Sequence, residues 1–71
     1  VLSLRNKLAL LAPGFFVVAS IVSFRAQIYE ATVWIPGERH PLVSVYGSSR
    51  FGAELVALEQ AIERLTPPGI A

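Results

Sequence analysis

The longest uninterrupted apolar stretch of the chain lies near its start. Residues 8–24 read LALLAPGFFVVASIVSF, with no charged side chain between Lys7 and Arg25. As a helix this stretch would be about 26 Å long, close to the hydrocarbon core of a bilayer at about 30 Å. Because basic side chains at both ends can reach the membrane interface, the pattern predicts a single membrane-spanning helix.

The same stretch allows two other interpretations. Pro13 and Gly14 divide it into a short amphipathic helix over residues 2–12 and a fully buried strand over residues 15–24, where β-branched and aromatic residues are frequent. Periodicity does not distinguish a buried strand from a membrane helix in a continuous apolar run. A basic start followed by an apolar stretch also resembles a secretory signal peptide, although no good cleavage site follows.

A different pattern begins at residue 27. Over residues 29–35 every second residue falls on the same face. One face has Tyr29, Ala31, Val33 and Ile35, and the other has Glu30, Thr32 and Trp34, which is the period of a half-buried strand. Pro36–Gly37 suits the two central positions of a type II turn. A second short strand over residues 42–46 has Val43 and Val45 on one face. These features predict a hairpin over residues 27–46.

An amphipathic helix is predicted over residues 49–65. Apolar side chains recur there at steps of four and three, and Gly47–Ser48–Ser49 before it offers an N-cap hydroxyl. The predicted apolar stripe consists of Phe51, Leu55, Leu58, Ile62 and Leu65. The prolines that follow end the helix, and the tail at 67–71 is expected to fray. The nearest surface for the stripe is the hairpin face carrying Tyr29, Val33 and Val45.

The sequence therefore predicts an α+β fold with an apolar membrane-anchor segment at 1–26 and a ββα unit at 27–66. The alternative is a compact soluble αβββα fold, in which the apolar stretch supplies a helix and a strand. If the segment spans a membrane once, the positive-inside tendency places residues 1–7 in the cytoplasm. The alternative localisation is cytoplasmic.

Composition and charge narrow the classes of function. The chain has 71 residues, of which 54% are hydrophobic and 15% charged. This apolar surplus predicts shelter by lipid, by another protein chain or by an unusually dense fold. There is no cysteine, which excludes disulfides and thiolate metal sites. A net charge of +1 provides no long-range field that would attract nucleic acid.

Two places are candidate contact sites. At the predicted helix start, backbone N–H groups, the hydroxyls of Ser48 and Ser49 and the guanidinium of Arg50 form a candidate anion or phosphate contact. Helix capping alone is the other interpretation of the same residues. Trp34 falls on the strand face opposite Tyr29, so it is a candidate partner contact.

No catalytic, metal or cofactor site is predicted. His40, the one histidine, has Glu38 nearby, but two ligands are fewer than the four of a closed metal site. No serine lies in a Gly-x-Ser-x-Gly motif, and Glu59 and Glu63 share the polar helix face. We therefore expect a protein that is not an enzyme and has no small-molecule substrate.

In the order helix–strand–strand–strand–helix, the chain resembles a double-stranded-RNA-binding domain. Tyr29–Glu30, the Pro36–Pro41 loop and Val43–Ser44–Val45 are similar to that family's first hairpin. The spacing of its final helix is matched by Ser49, Ala53, Val56, Ala57, Ala61 and Ile62. The family's basic pair falls on Arg50 and Phe51, so one charge is missing, and the lysines that hold two phosphate backbones are absent. The resemblance implies the αβββα shape.

The leading hypothesis is a small, non-enzymatic, membrane-associated accessory protein. The apolar segment would contact lipid, and an exposed strand edge and helix would bind a larger assembly or a second copy. The alternative is a soluble, dimeric αβββα binding module that contacts nucleic-acid phosphate through Ser48, Ser49 and Arg50.

Overall fold

The computed structural model describes residues 3–67. In chain order the elements are α1 (Leu4–Leu11), β1 (Phe16–Ser23), β2 (Ile28–Trp34), β3 (Val43–Gly47) and α2 (Arg50–Leu65). The strands form one antiparallel sheet in the order β1-β2-β3. The fold is therefore α+β with the αβββα order of the alternative prediction.

The apolar stretch at 8–24 is not one helix. Pro13 lacks an amide hydrogen and disfavours helical backbone at the preceding residue, so α1 ends at Leu11 with Ala12 in a non-helical conformation. Gly14 then adopts a positive φ of 83° before β1 begins. Nowhere in residues 3–67 does a helix combine the length and the apolar character needed to cross a membrane. The predicted membrane-spanning helix, the anchor segment at 1–26 and the single-pass membrane localisation are therefore wrong.

Helix α1 is short and depends on contacts with the rest of the fold. Ser3 caps it, with its hydroxyl accepting a hydrogen bond from the Asn6 N–H at 3.2 Å. Leu8 and Ala12 are buried, and the helix packs against α2. Since a helix of this length is marginal in isolation, packing of Leu8 is what holds it.

Two loops connect the three strands. Phe24–Gln27 is tight: Gln27 has a φ of 52°, and the Ser23 hydroxyl accepts a hydrogen bond from the Ala26 N–H at 3.2 Å. In the longer loop, Gly37 has a φ of 88° and the Glu38 N–H donates to the Ile35 carbonyl at 3.2 Å. This confirms the predicted turn at Pro36–Gly37.

The predicted hairpin at 27–46 is confirmed, but it forms β2 and β3. The family resemblance had matched these residues to a first hairpin, whereas β1 precedes them and pairs with β2. The predicted helix at 49–65 is also confirmed, with Ser49 as its N-cap. The predicted frayed tail lies outside the described residues, apart from Pro67.

The core lies between α2 and one face of the sheet. Its fully or nearly buried members are Leu8, Ala12, Ala31, Val33, Val43, Val45, Ala53, Ala57, Leu58 and Ala61. Alanines at every fourth position let α2 approach the strands closely, and a Cβ on Gly47 would lie 3.2 Å from the Ala53 Cβ. The predicted stripe is partly wrong, because Phe51 is 71% exposed while the alanines face the sheet.

Candidate partner-binding face

The sheet has one covered face and one uncovered face. Helix α2 lies mainly over β2 and β3 on one side. The other side, here called the open face, is opposite both helices. Its side chains are Phe16, Val18 and Ser20 of β1, Ile28, Glu30, Thr32 and Trp34 of β2, and Ser44 and Tyr46 of β3. Val22 of β1 is also exposed and lies at the β-bulge that follows. Strand alternation places the residues before the bulge together, because every second residue points to the same side.

The part of the open face along β1 is apolar. Phe16 is opposite Trp34 in the register, and their rings stack with centroids 6.2 Å apart and planes at 3°. Val18 is 47% exposed and Val22 is 55% exposed. Phe24, directly after the strand, is 82% exposed. We call Phe16, Val18 and Val22 the β1 patch.

Trp34 is held in place by two neighbours. Its Nε1–H donates to the Thr32 hydroxyl at 2.9 Å, and Thr32 in turn donates to the Val18 carbonyl at 3.4 Å. The ring of Phe16 covers one side. Trp34 therefore lies on the face opposite Tyr29, as predicted, but it is half-buried and has a fixed orientation.

The part of the open face along β3 is polar. The Glu30 carboxylate accepts a hydrogen bond from the Ser44 hydroxyl at 3.2 Å. It also lies opposite Tyr46 in the register. A hydrogen bond to this carboxylate, together with its negative charge, raises the pKa of the Tyr46 hydroxyl above 10.0. The open face thus changes from apolar to polar across the sheet.

Strand β1 is an edge strand with little protection between Phe16 and Ile21. Proteins guard sheet edges with charged residues, prolines, β-bulges or very short strands. A β-bulge lies near the end of β1, between Ile21 and Ser23, and the strand before it is regular. The sequence of β1, FVVASIVS, has no charge and no proline, and it is the longest of the three strands. On the covered face Val17, Ala19 and Ile21 are half-buried, since α2 lies mainly over the other strands and α1 packs against α2. Both faces of β1 are therefore apolar and partly uncovered.

The candidate anion contact is largely committed to the fold. The Ser49 hydroxyl accepts a hydrogen bond from the Gly52 N–H at 3.0 Å, so it caps α2. The Arg50 Nε lies 3.4 Å from a Glu54 carboxylate oxygen, and that carboxylate is also 3.8 Å from Arg5. Ser48 is exposed next to them. Capping and a local ion pair account for Ser49 and Arg50, and phosphate contact stays a prediction.

The remaining candidates lie on the helix side and on the long loop. A cleft of about 210 Å³ opens between α1 and the start of α2, lined by Leu4, Phe51 and Leu55 among others. Glu38 and His40 border a shallow depression next to Arg64, whose guanidinium donates to the Leu42 carbonyl at 2.9 Å. Within residues 3–67, no three metal-ligating side chains come together.

Sequence reasoning missed the β1 patch. The strand interpretation of residues 15–24 had every side chain buried, whereas the even-numbered positions from Phe16 to Val22 are exposed. Where the odd-numbered and the even-numbered positions of a strand are both apolar, the sequence does not indicate which face of the strand is covered. The short Phe24–Gln27 connection does indicate that the two flanking strands pair, which makes the first of them an edge candidate.

Comparison of the chain with protein-family models, with curated proteins and with solved structures finds no match.

Proposed function

We propose that this protein is a non-enzymatic αβββα binding module whose open face contacts another protein chain. The observation that carries the proposal is the β1 patch, where Phe16 and Val18 are exposed next to Trp34 and Val22 is exposed further along the strand. Contiguous exposed apolar side chains on a small protein typically mark an interaction site.

The fixed orientation of the Trp34 side chain favours binding. Tryptophan is enriched among the residues that contribute most to protein–protein interfaces. Stacking on Phe16 and the hydrogen bond to Thr32 already fix its ring. A side chain fixed before binding loses little conformational entropy when a partner covers it.

The polar half of the open face suits the rim of an interface. Protein–protein interfaces combine an apolar centre with polar, solvent-accessible edges. Here the Ser44 hydroxyl donates to the Glu30 carboxylate, Tyr46 lies opposite Glu30, and all three are on the same face as the β1 patch. They supply direction and specificity to a contact whose affinity comes from the apolar residues.

Charge favours a protein partner over nucleic acid. The open face carries one charged side chain, the Glu30 carboxylate, and the whole chain has a net charge of +1. Phosphate backbones are bound by clusters of lysine and arginine, and affinity rises with the number of such contacts. A phosphate backbone laid on the open face would meet Glu30 instead.

Site-specific photo-crosslinking in the cells that produce the protein tests the proposal. A photoreactive phenylalanine analogue is placed at position 18, on the open face, or at position 10, where Leu10 is 74% exposed on α1. We expect one defined protein adduct from position 18 and little from position 10. Adducts from position 10 alone, or equal adducts from both positions, would overturn the proposal.

A further inference from the structure

We infer that β1 pairs in antiparallel fashion with β1 of a second copy, so that a two-fold dimer contains one continuous six-stranded sheet. The inference rests on the proposed function, because it names the partner that contacts the β1 edge of the same surface. It makes β1 a central strand of the dimer. Six strands is a common size for a sheet in globular proteins.

The first argument is the mismatch between the composition of β1 and its position. Strands buried on both faces have near-continuous apolar sequences, whereas strands exposed on one face alternate. β1 has the near-continuous apolar sequence of a strand buried on both faces, but it lies at the edge of the sheet. Its backbone groups on the free side have no strand partner in residues 3–67. A second β1 supplies those hydrogen bonds and places its own side chains beside those of the first strand on both faces of the sheet.

The second argument is that β1 is complementary to itself. Opposed residues of an antiparallel pair point to the same face, so the two-fold axis passes next to one residue and its copy. An axis at Ala19 pairs residues 17–21, all of which lie before the β-bulge, and an axis at Ser20 pairs residues 17–23 across it. Both are small residues, and on the covered face Val17 and Ile21 of the two copies then lie near each other.

Charge also favours a second copy. No charged residue occurs from Leu8 to Phe24, so two β1 strands approach without repulsion. Arg25, the next charge, lies at opposite ends of the paired strands. With the axis at Ser20, the two Arg25 residues would be about 34 Å apart, which is well beyond the screening length of about 10 Å in 0.1 M salt.

The distribution of polar groups favours a dimer paired through the β1 edge over a dimer in which two open faces stack. Stacked open faces would bury Glu30, Ser44 and Tyr46 along with the apolar residues. Burying carboxylates without a positive partner is costly, since each loses its hydration. Edge pairing leaves Glu30 in contact with water on the outside of the enlarged sheet.

Hydrodynamic measurement on the purified full chain tests the pairing. The chain has a mass of 7.7 kDa, and we expect the dimer mass by light scattering or sedimentation at tens of micromolar protein. A monomer at all concentrations up to about 1 mM would overturn the inference.

Matched lysine substitutions distinguish a dimer paired through the β1 edge from a dimer in which two open faces stack. Val18 is on β1 and Tyr46, 64% exposed, is on β3, and both are on the open face. In the paired edge, Val18→Lys replaces an apolar contact and brings two ammonium groups to about 8–14 Å from each other, and we expect dimerisation to weaken by roughly three- to fivefold at low salt. Tyr46→Lys should leave dimerisation within twofold. Equal weakening by both, with circular dichroism showing both folded, would contradict edge pairing.

Crosslinking through single cysteines gives a second, independent readout. The chain has no cysteine, so Ser20→Cys and Ser44→Cys each create one thiol. A short bismaleimide should join two copies through position 20, next to the axis. Position 44 should not react this way, because the two β3 strands would be about 24 Å apart, or five strand spacings. Efficient joining through position 44 together with none through position 20 would refute the register.

The outcomes also separate this inference from the proposed function. A monomeric chain whose position 18 crosslinks to a different protein overturns the dimer and leaves the binding module standing. Absence of open-face adducts in cells overturns the proposed function, whatever the oligomeric state of the purified chain.

Discussion

At the scale of single residues, Tyr46 and Glu30 are coupled across the β2–β3 pairing. The hydrogen bond to the Glu30 carboxylate, and then its charge, raise the pKa of the exposed Tyr46 hydroxyl above its ordinary value of 10.0. The chain has two tyrosines, so a Tyr29→Phe background isolates the signal of Tyr46. We expect ultraviolet titration to give a pKa above 10, and Glu30→Gln to return it towards 10.

The sign of the accompanying stability change follows from the raised pKa. The interaction stabilises the fold while the phenol is protonated, which holds below the unfolded-state pKa near 10. It is lost as the pH rises through the higher folded-state value. Stability at neutral pH is therefore unaffected by this titration. An unchanged Tyr46 midpoint in Glu30→Gln would show that the two groups are not coupled.

Ser49 and Ser48 are adjacent serines with different roles. The Ser49 hydroxyl accepts the Gly52 N–H at the start of α2, whereas Ser48 precedes the cap and is exposed. Removing a serine N-cap costs about 1 kcal/mol. We expect Ser49→Ala to lower the free energy of unfolding in urea by about that amount and Ser48→Ala to change it little. Equal losses would mean that Ser49 does not act as the cap.

At the scale of elements, the small residues of α2 set its distance from the sheet. Ala57 is fully buried between the helix and the strands. Leucine has nearly the helix propensity of alanine, so Ala57→Leu tests packing alone. We expect a loss of about 1–3 kcal/mol from overpacking. Val56→Leu, at the neighbouring and partly exposed position, should stay within about 0.5 kcal/mol in the same urea titration.

The sequence predicts the C-terminal elements better than the N-terminal ones. β2, β3 and α2 follow from strict alternation, a Pro-Gly turn and a helical repeat, and each of these signals is local. Residues 8–24 carry no such signal, because a membrane helix and a helix–turn–strand have the same apolar content. Pro13 and Gly14 decide between them, since Pro13 ends α1 and Gly14 adopts the positive φ before β1.

The candidate site, too, is predictable from the sequence only in part. The face of Trp34 is predictable, because alternation with Tyr29 within one strand fixes it. The exposure of Val18 and Val22 is not, since it depends on which strand ends at the sheet edge and on where α2 lies. Likewise, the sequence shows the stripe of large apolar residues in α2. It does not show that the alanine face contacts the sheet, because that contact depends on how closely α2 approaches the strands.

At the scale of the whole molecule, the apolar surplus is divided between a small core and an exposed edge. A chain of 71 residues buries a limited fraction of its surface, so its stability is modest, roughly 4–11 kcal/mol by the usual value per residue. The core contains many alanines and few large side chains. Leu8 and Val33 are the largest side chains that it buries completely. Much of the stability therefore depends on a few residues.

Leu8 tests whether the apolar N-terminal segment belongs to the same cooperative unit as the sheet. It is fully buried, whereas Leu10 on the same helix is 74% exposed. Leu8→Ala should cost about 2–5 kcal/mol, a large share of the total, and Leu10→Ala less than about 0.5 kcal/mol.

Because α1 packs on α2 and α2 packs on the sheet, the loss at Leu8 should destabilise every element together. In urea, helical circular dichroism and Trp34 fluorescence of Leu8→Ala should fall at one common, lowered midpoint. Loss of helix signal at low urea with an unchanged Trp34 transition would mean that α1 is an independent appendage. A common shift would instead make residues 4–12 a structural part of the αβββα fold, in which the core accounts for Leu8 and Ala12.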